Sequence, residues 1–287
     1  MASIALDPWV QCALPSSVIP LPSPTLTAIL ILKLFLVPAL IYIVTLIGRR
    51  WGPDAAGWFS ALPIVAGPIL LTMALEQGRG FVATAAGNTL LAVIAVLVFC
   101  LAYAWAARRF AVFGSMLCAL AAYAAAVAGL QLVELALLPG FALVLCLLTV
   151  APRLFPRSEG SGARSARQPN DLLLRMLAGA ALSFTVTCAA AGLGPRLSGF
   201  FAMFPVMGTI LVGFSHHASG RAYAEGILRG MVRGYYAFAT FCVVLSLALR
   251  ERPVALAFGV AAVAALAVQL VSKRGMKFTG RDQARRA

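Results

Sequence analysis

The chain has 287 residues, of which 62% are apolar and 11% charged, and its mean hydropathy is +0.94. That composition excludes a soluble globular domain and predicts an all-α polytopic membrane protein. The net charge of +14 comes from 23 Lys and Arg against 9 Asp and Glu, an excess that cytoplasmic loops of membrane proteins account for, so no nucleic-acid partner is expected.

Residues 1–25 carry Asp7, Pro and Ser but no basic n-region, and read as an extracytoplasmic segment rather than a signal peptide. Nine apolar segments follow, at about 26–48, 55–76, 81–106, 110–129, 132–150, 172–192, 197–217, 226–249 and 253–272. Each is near the roughly 20 residues that a helix needs to cross about 30 Å of hydrocarbon. The run 110–150 is broken only by Gln131 and Glu134, and its length suits two spans. Residues 153–171, rich in turn-formers and charge, form a cytoplasmic linker, and 273–287 a basic cytoplasmic tail.

Loop charge sets the orientation. With the N-terminus outside, the inward loops hold Arg49, Arg50, Arg108, Arg109, Arg153, Arg157, Arg164, Arg167, Arg221, Lys273, Arg274, Lys277, Arg281, Arg285 and Arg286; the outward loops hold Arg79, Arg196, Arg250 and Arg252. Fifteen against four predicts N-outside, C-cytoplasmic, as for a bacterial inner-membrane protein.

Two stretches, GPDAAGWFSALPIVAG from Gly52 and GPRLSGFFAMFPVMGT from Gly194, share one pattern displaced by 142 positions. The register pairs Lys33 with Arg175, Gly57 with Gly199, Phe59 with Phe201, Pro63 with Pro205, Gly78-Arg79 with Gly220-Arg221 and Phe99-Cys100 with Phe241-Cys242. Two four-helix repeats result, 26–130 and 172–272, joined by one extra helix at 131–152. An odd number of added spans inverts the second repeat, a plan common in transporters. Pro63 and Pro205 fall about 15 Å into their helices, near the midplane, where a proline costs up to about 3 kcal/mol unless neighbours compensate. Pro68 adds a second interruption to the first repeat.

The substrate-path candidates are therefore Lys33, Gly57, Phe59, Pro63, Arg175, Gly199, Phe201 and Pro205. Lys33 and Arg175 either attract an anion or snorkel to the interface. Glu225, Arg229 and Arg233, at i, i+4 and i+8, form either a cytoplasmic gate or an interfacial ion-pair ladder. Asn88 is expected to bond a neighbouring helix, adjacent His216 and His217 to be interfacial, and five of the six cysteines to be packing residues. No catalytic or metal motif appears, so neither enzyme activity, metal nor cofactor is expected. No acidic residue lies near the midplane, which favours an anionic, amphipathic or neutral substrate.

The segment SGFFAMFPVMGTILVGFSHHASGRAYAEG resembles the small four-helix bacterial inner-membrane proteins of the GlpM type, through Gly199, Phe204-Pro205, Ala218, Gly220 and Glu225; the first repeat is similar through Gly57, Leu62-Pro63 and Gly78. The resemblance implies two such units fused in opposite orientations, and a link to envelope polysaccharide production. The expected function is a transporter or flippase for an anionic or amphipathic small molecule; the alternative is a non-transporting scaffold of an envelope polysaccharide or lipid synthesis complex. The expected partners are membrane lipids, a small-molecule or lipid-linked substrate and, in a homo-oligomer, a second copy of the chain.

Overall fold

The computed structural model describes residues 24–64, 66–133, 135–156, 171–191 and 204–273. Among the described residues the chain is all-helical, with ten helices: α1 (Pro24–Trp51), α2 (Pro53–Ser60), α3 (Ala66–Gln77), α4 (Arg79–Ala106), α5 (Val112–Leu130), α6 (Leu137–Leu154), α7 (Leu172–Ala191), α8 (Val206–Ser219), α9 (Arg221–Glu251) and α10 (Val254–Lys273). Six of them, α1, α4, α5, α6, α9 and α10, are long and apolar enough to cross a membrane. Shorter apolar segments lie in α3 and α7.

The region 55–76, expected as one span, is two helices. A proline cannot donate to the preceding turn and clashes with it, and Pro63 sits in the non-helical break between α2 and α3. Its carbonyl accepts from Gly67 N at 2.8 Å, which starts the second half-helix. Pro205 caps α8 in the same way, its carbonyl accepting from Thr209 N at 2.8 Å. Pro68 is no second interruption: it occupies the first turn of α3, where amides lack partners in any case. The run 110–150 does divide into two helices, α5 and α6.

Helix boundaries follow the 142-residue displacement. α3 and α8 end at Gln77 and Ser219, α4 and α9 begin at Arg79 and Arg221, and α5 and α10 begin at Val112 and Val254. Between them stand Gly78, with φ 84 and ψ 161, and Gly220, with φ 82 and ψ 173. A positive φ is open to glycine at little cost, so α3 and α8 each turn into a long helix through one residue.

α4 and α9 pack side by side at the centre, and α6 touches both. Around them the same displacement relates the contacts: α4–α5 corresponds to α9–α10, α3–α4 to α8–α9, α3–α10 to α8–α5 and α1–α3 to α7–α8. Phe99 of α4 lies under Gly208 of α8, and Phe241 of α9 lies under Gly67 of α3.

The outer surface is apolar, with Phe35, Phe113, Leu138, Leu173, Val263 and Leu270 all exposed. In water such a surface would be an aggregation hazard; against lipid it is the expected solvent face. Cys100 and Cys242 are buried, but Cys118 and Cys146 are exposed on α5 and α6, so these two are not interior packing residues. Asn88 also faces outward from α4, not toward a neighbouring helix.

Candidate functional site

A close helix crossing holds α2 against α9. Gly226, Gly230 and Gly234 form a stripe at four-residue spacing on α9, and Gly57 faces them from α2. A Cβ on Gly57 would overlap the Ile227 carbonyl oxygen, one on Gly230 the Asp54 carbonyl oxygen, and one on Gly234 would lie 2.6 Å from Trp58 O. Small residues at this spacing allow backbones to approach within membranes. Gln269 Nε2 donates to Trp58 O at 2.9 Å and Trp58 Nε1 to Ser272 Oγ at 2.8 Å, which ties α2 to α10 as well. Gly57 is therefore a packing residue in this structure. Phe59 is half-buried and packs on Trp58 and Trp51, with ring centroids 4.9 and 6.3 Å away.

The crossing aims the polar face of α9 at one end of the bundle. At roughly 1.5 Å per residue, the 31 residues of α9 extend about 46 Å, well beyond a 30 Å hydrocarbon core. Its first four turns carry Arg221, Glu225, Arg229 and Arg233. Glu225, 3% exposed, lies 3.4 Å from Arg221 Nε and 4.0 Å from Arg229 NH2. The ladder does not continue to Arg233, which turns to Asp54 of α2 at 3.6 Å.

The C-terminal end of α6 closes this cluster. Arg229 NH2 donates to Pro156 O at 2.7 Å, and its guanidinium lies 5.7 Å from the Phe155 ring. Between α6 and α9 a cleft of about 510 Å³ is lined by Pro152, Arg153, Phe155, Pro156, Arg229, Val232 and Arg233. Sequence reasoning did not anticipate Arg153 or Asp54 here, because both come from other helices.

A second polar cluster occupies the same end. Arg175 is 1% exposed, so it does not snorkel. Its Nε donates to Asp171 Oδ2 at 3.0 Å and its NH1 to Ser215 Oγ at 3.2 Å, while Phe214 lies 5.6 Å beneath it. Arg49 approaches Asp171 at 4.0 Å. One residue on, His216 Nδ1 shares a 2.8 Å hydrogen bond with Tyr103 OH of α4, whereas His217 is exposed. Lys33 lies in α1, sixteen residues before Arg49 and so about 24 Å along the helix. Lys33 and Arg175 thus stand toward opposite ends of the bundle. Gly199 and Phe201 lie outside the described residues.

Compared with known proteins, the chain matches no family model, no curated protein and no solved structure. The functional reading therefore rests on the geometry alone.

Proposed function

We propose that the protein is a transporter or flippase of the bacterial inner membrane, with its N-terminus outside and its C-terminus cytoplasmic. It moves an anionic or amphipathic small molecule through a site between two proline-interrupted helices. In this reading α2 with α3 is one interrupted crossing and α8 belongs to another; with α7 and the six long helices they make nine. The chain is two four-helix repeats, 26–130 and 172–272, inverted by the crossing of α6.

One observation carries the proposal. The Pro63 and Pro205 carbonyls each accept from the amide four residues on, at 2.8 Å, each starting a short helix that turns at a positive-φ glycine. Interruptions at corresponding positions of two halves are the form that transporters give a binding site, because unwound backbone supplies free polar groups at depth. The arginine-rich end, where Glu225, Arg229 and Arg233 meet Asp54, is the cytoplasmic gate.

The test is translocation of a fluorescent anionic phospholipid in proteoliposomes, read by quenching from outside. Wild type is expected to translocate it, and Pro63→Ala and Pro205→Ala to insert normally but lose most of the activity. Full activity in both variants would refute the site. Absence of flux in wild type, with a co-purifying envelope-synthesis protein, would replace transport by the scaffold role.

A further inference from the structure

We infer that the cleft between α6 and α9 is a binding site for a phosphate group carried on an apolar body. The cluster around it holds four cations, Arg153, Arg221, Arg229 and Arg233, and two anions, Asp54 and Glu225. Arg221 pairs with Glu225 at 3.4 Å and Arg233 with Asp54 at 3.6 Å. Arg153 and Arg229 remain in excess, Arg229 reaching Glu225 only at 4.0 Å. Two positive charges uncompensated among the described residues match a phosphate monoester, which carries about −1.5 to −2 at neutral pH.

The donor geometry agrees with the charge. Arg229 is fixed by Pro156 O on one nitrogen and by the Phe155 face beneath it, yet its Nε–H is buried without an acceptor among the described residues. A buried N–H without a partner is costly, and a planar guanidinium offers forked donors that fit phosphate oxygens. Arg153 is exposed on the last turn of α6 and forms no ion pair among the described residues. Pro152, Phe155 and Val232 supply an apolar wall beside these donors. The cleft thus offers phosphate contacts on one side and room for an ester or acyl body on the other. The transport reading is needed only to set the cleft at a membrane surface; binding is measured without flux, so each idea can fail while the other stands.

The experiment uses the full chain in nanodiscs of phosphatidylcholine doped with phosphatidic acid, with retained lipid identified by native mass spectrometry. A second arm titrates inorganic phosphate against thermal unfolding. Arg153→Gln and Arg229→Gln should each weaken retention of phosphatidic acid roughly fivefold, while Arg108→Gln, at the same end but outside the cleft, should not. Should Arg229→Gln misfold through loss of its contact with Glu225, Arg153→Gln still decides, since Arg153 contributes no described pair. Retention of phosphatidic acid without stabilisation by phosphate identifies a lipid headgroup; stabilisation by phosphate that Arg153→Gln abolishes identifies a soluble phosphorylated ligand. Equal losses in Arg153→Gln and Arg108→Gln, or no effect of any variant in either arm, would overturn the site.

Discussion

The α2–α9 crossing can be tested with one methyl group. In Gly230→Ala the new Cβ would overlap the Asp54 carbonyl oxygen and lie 2.9 Å from both Asp54 C and Trp58 N. All three are backbone atoms, so no rotamer change relieves the clash. An ordinary carbon-to-oxygen contact needs about 3.3 Å, and α2 must shift by about an ångström to restore it. Overpacking of this kind costs about 1–3 kcal/mol, and the helix preference of Ala over Gly offsets up to about 1 kcal/mol. Gly259→Ala on α10 is the matched control, because its Cβ would meet nothing within 4 Å; only the helix-preference gain applies. The two variants should therefore differ by about 2 kcal/mol, a roughly 30-fold difference in the unfolding equilibrium. Tryptophan fluorescence during SDS titration of mixed micelles measures it, Trp58 lying in the crossing. Adding Gly57→Ala to Gly230→Ala should cost less than the sum, since both separate the same two helices. Equal stability of Gly230→Ala and Gly259→Ala would refute the close crossing.

Other variants address the polar network and the membrane setting. Arg175→Met removes one partner of a buried pair and should cost about 3–5 kcal/mol; adding Asp171→Asn should recover part of it, as a double-mutant cycle would reveal. Ser246→Ala, which deletes a 2.7 Å bond to Ala83 O between α9 and α4, should cost only about 0.6 kcal/mol in the same titration. In a Cys12→Ser, Cys188→Ser background, a hydrophilic maleimide should leave intact vesicles unlabelled, Cys100 and Cys242 being buried and Cys118 and Cys146 facing hydrocarbon. Labelling of Cys118 or Cys146 would put water on that face. Reporter fusions within 157–170 and at Gly220 should both report the cytoplasm, and opposite results would end the inversion argument.

The long helices were legible because apolar length alone specifies them. The correspondence of Gly78-Arg79 with Gly220-Arg221 was legible too, but both arginines read as loop residues ahead of spans at about 81 and 226, whereas the long helices begin at Arg79 and Arg221 themselves. Two kinds of feature escaped. The α9 stripe of Gly226, Gly230 and Gly234 stands in the sequence as small residues at four-residue spacing, but that spacing does not name α2 as its partner. Asp54 and Arg153 could not be assigned to Arg233 and Arg229 from the sequence, since helix periodicity identifies neighbours within one helix and not across three. Of the two readings of Arg175, snorkelling fails for a related reason: a cation four residues past Asp171 looks interfacial until Ser215 and Phe214 of another helix enclose it.

The close seat of α2 on α9 means that the order of the chain and the mechanical grouping of its helices disagree. Covalently, α2 follows α1; by packing, it is seated on α9 and, through Trp58, Gln269 and Ser272, tied to α10. The two portions on either side of residues 157–170 are thus interlocked rather than merely apposed, each holding a piece of the other's interior. If the α2–α9 seat stays closed during transport, any rocking motion bends the chain where α2 leaves α1, at Gly52, and where the helix breaks again, at Pro63.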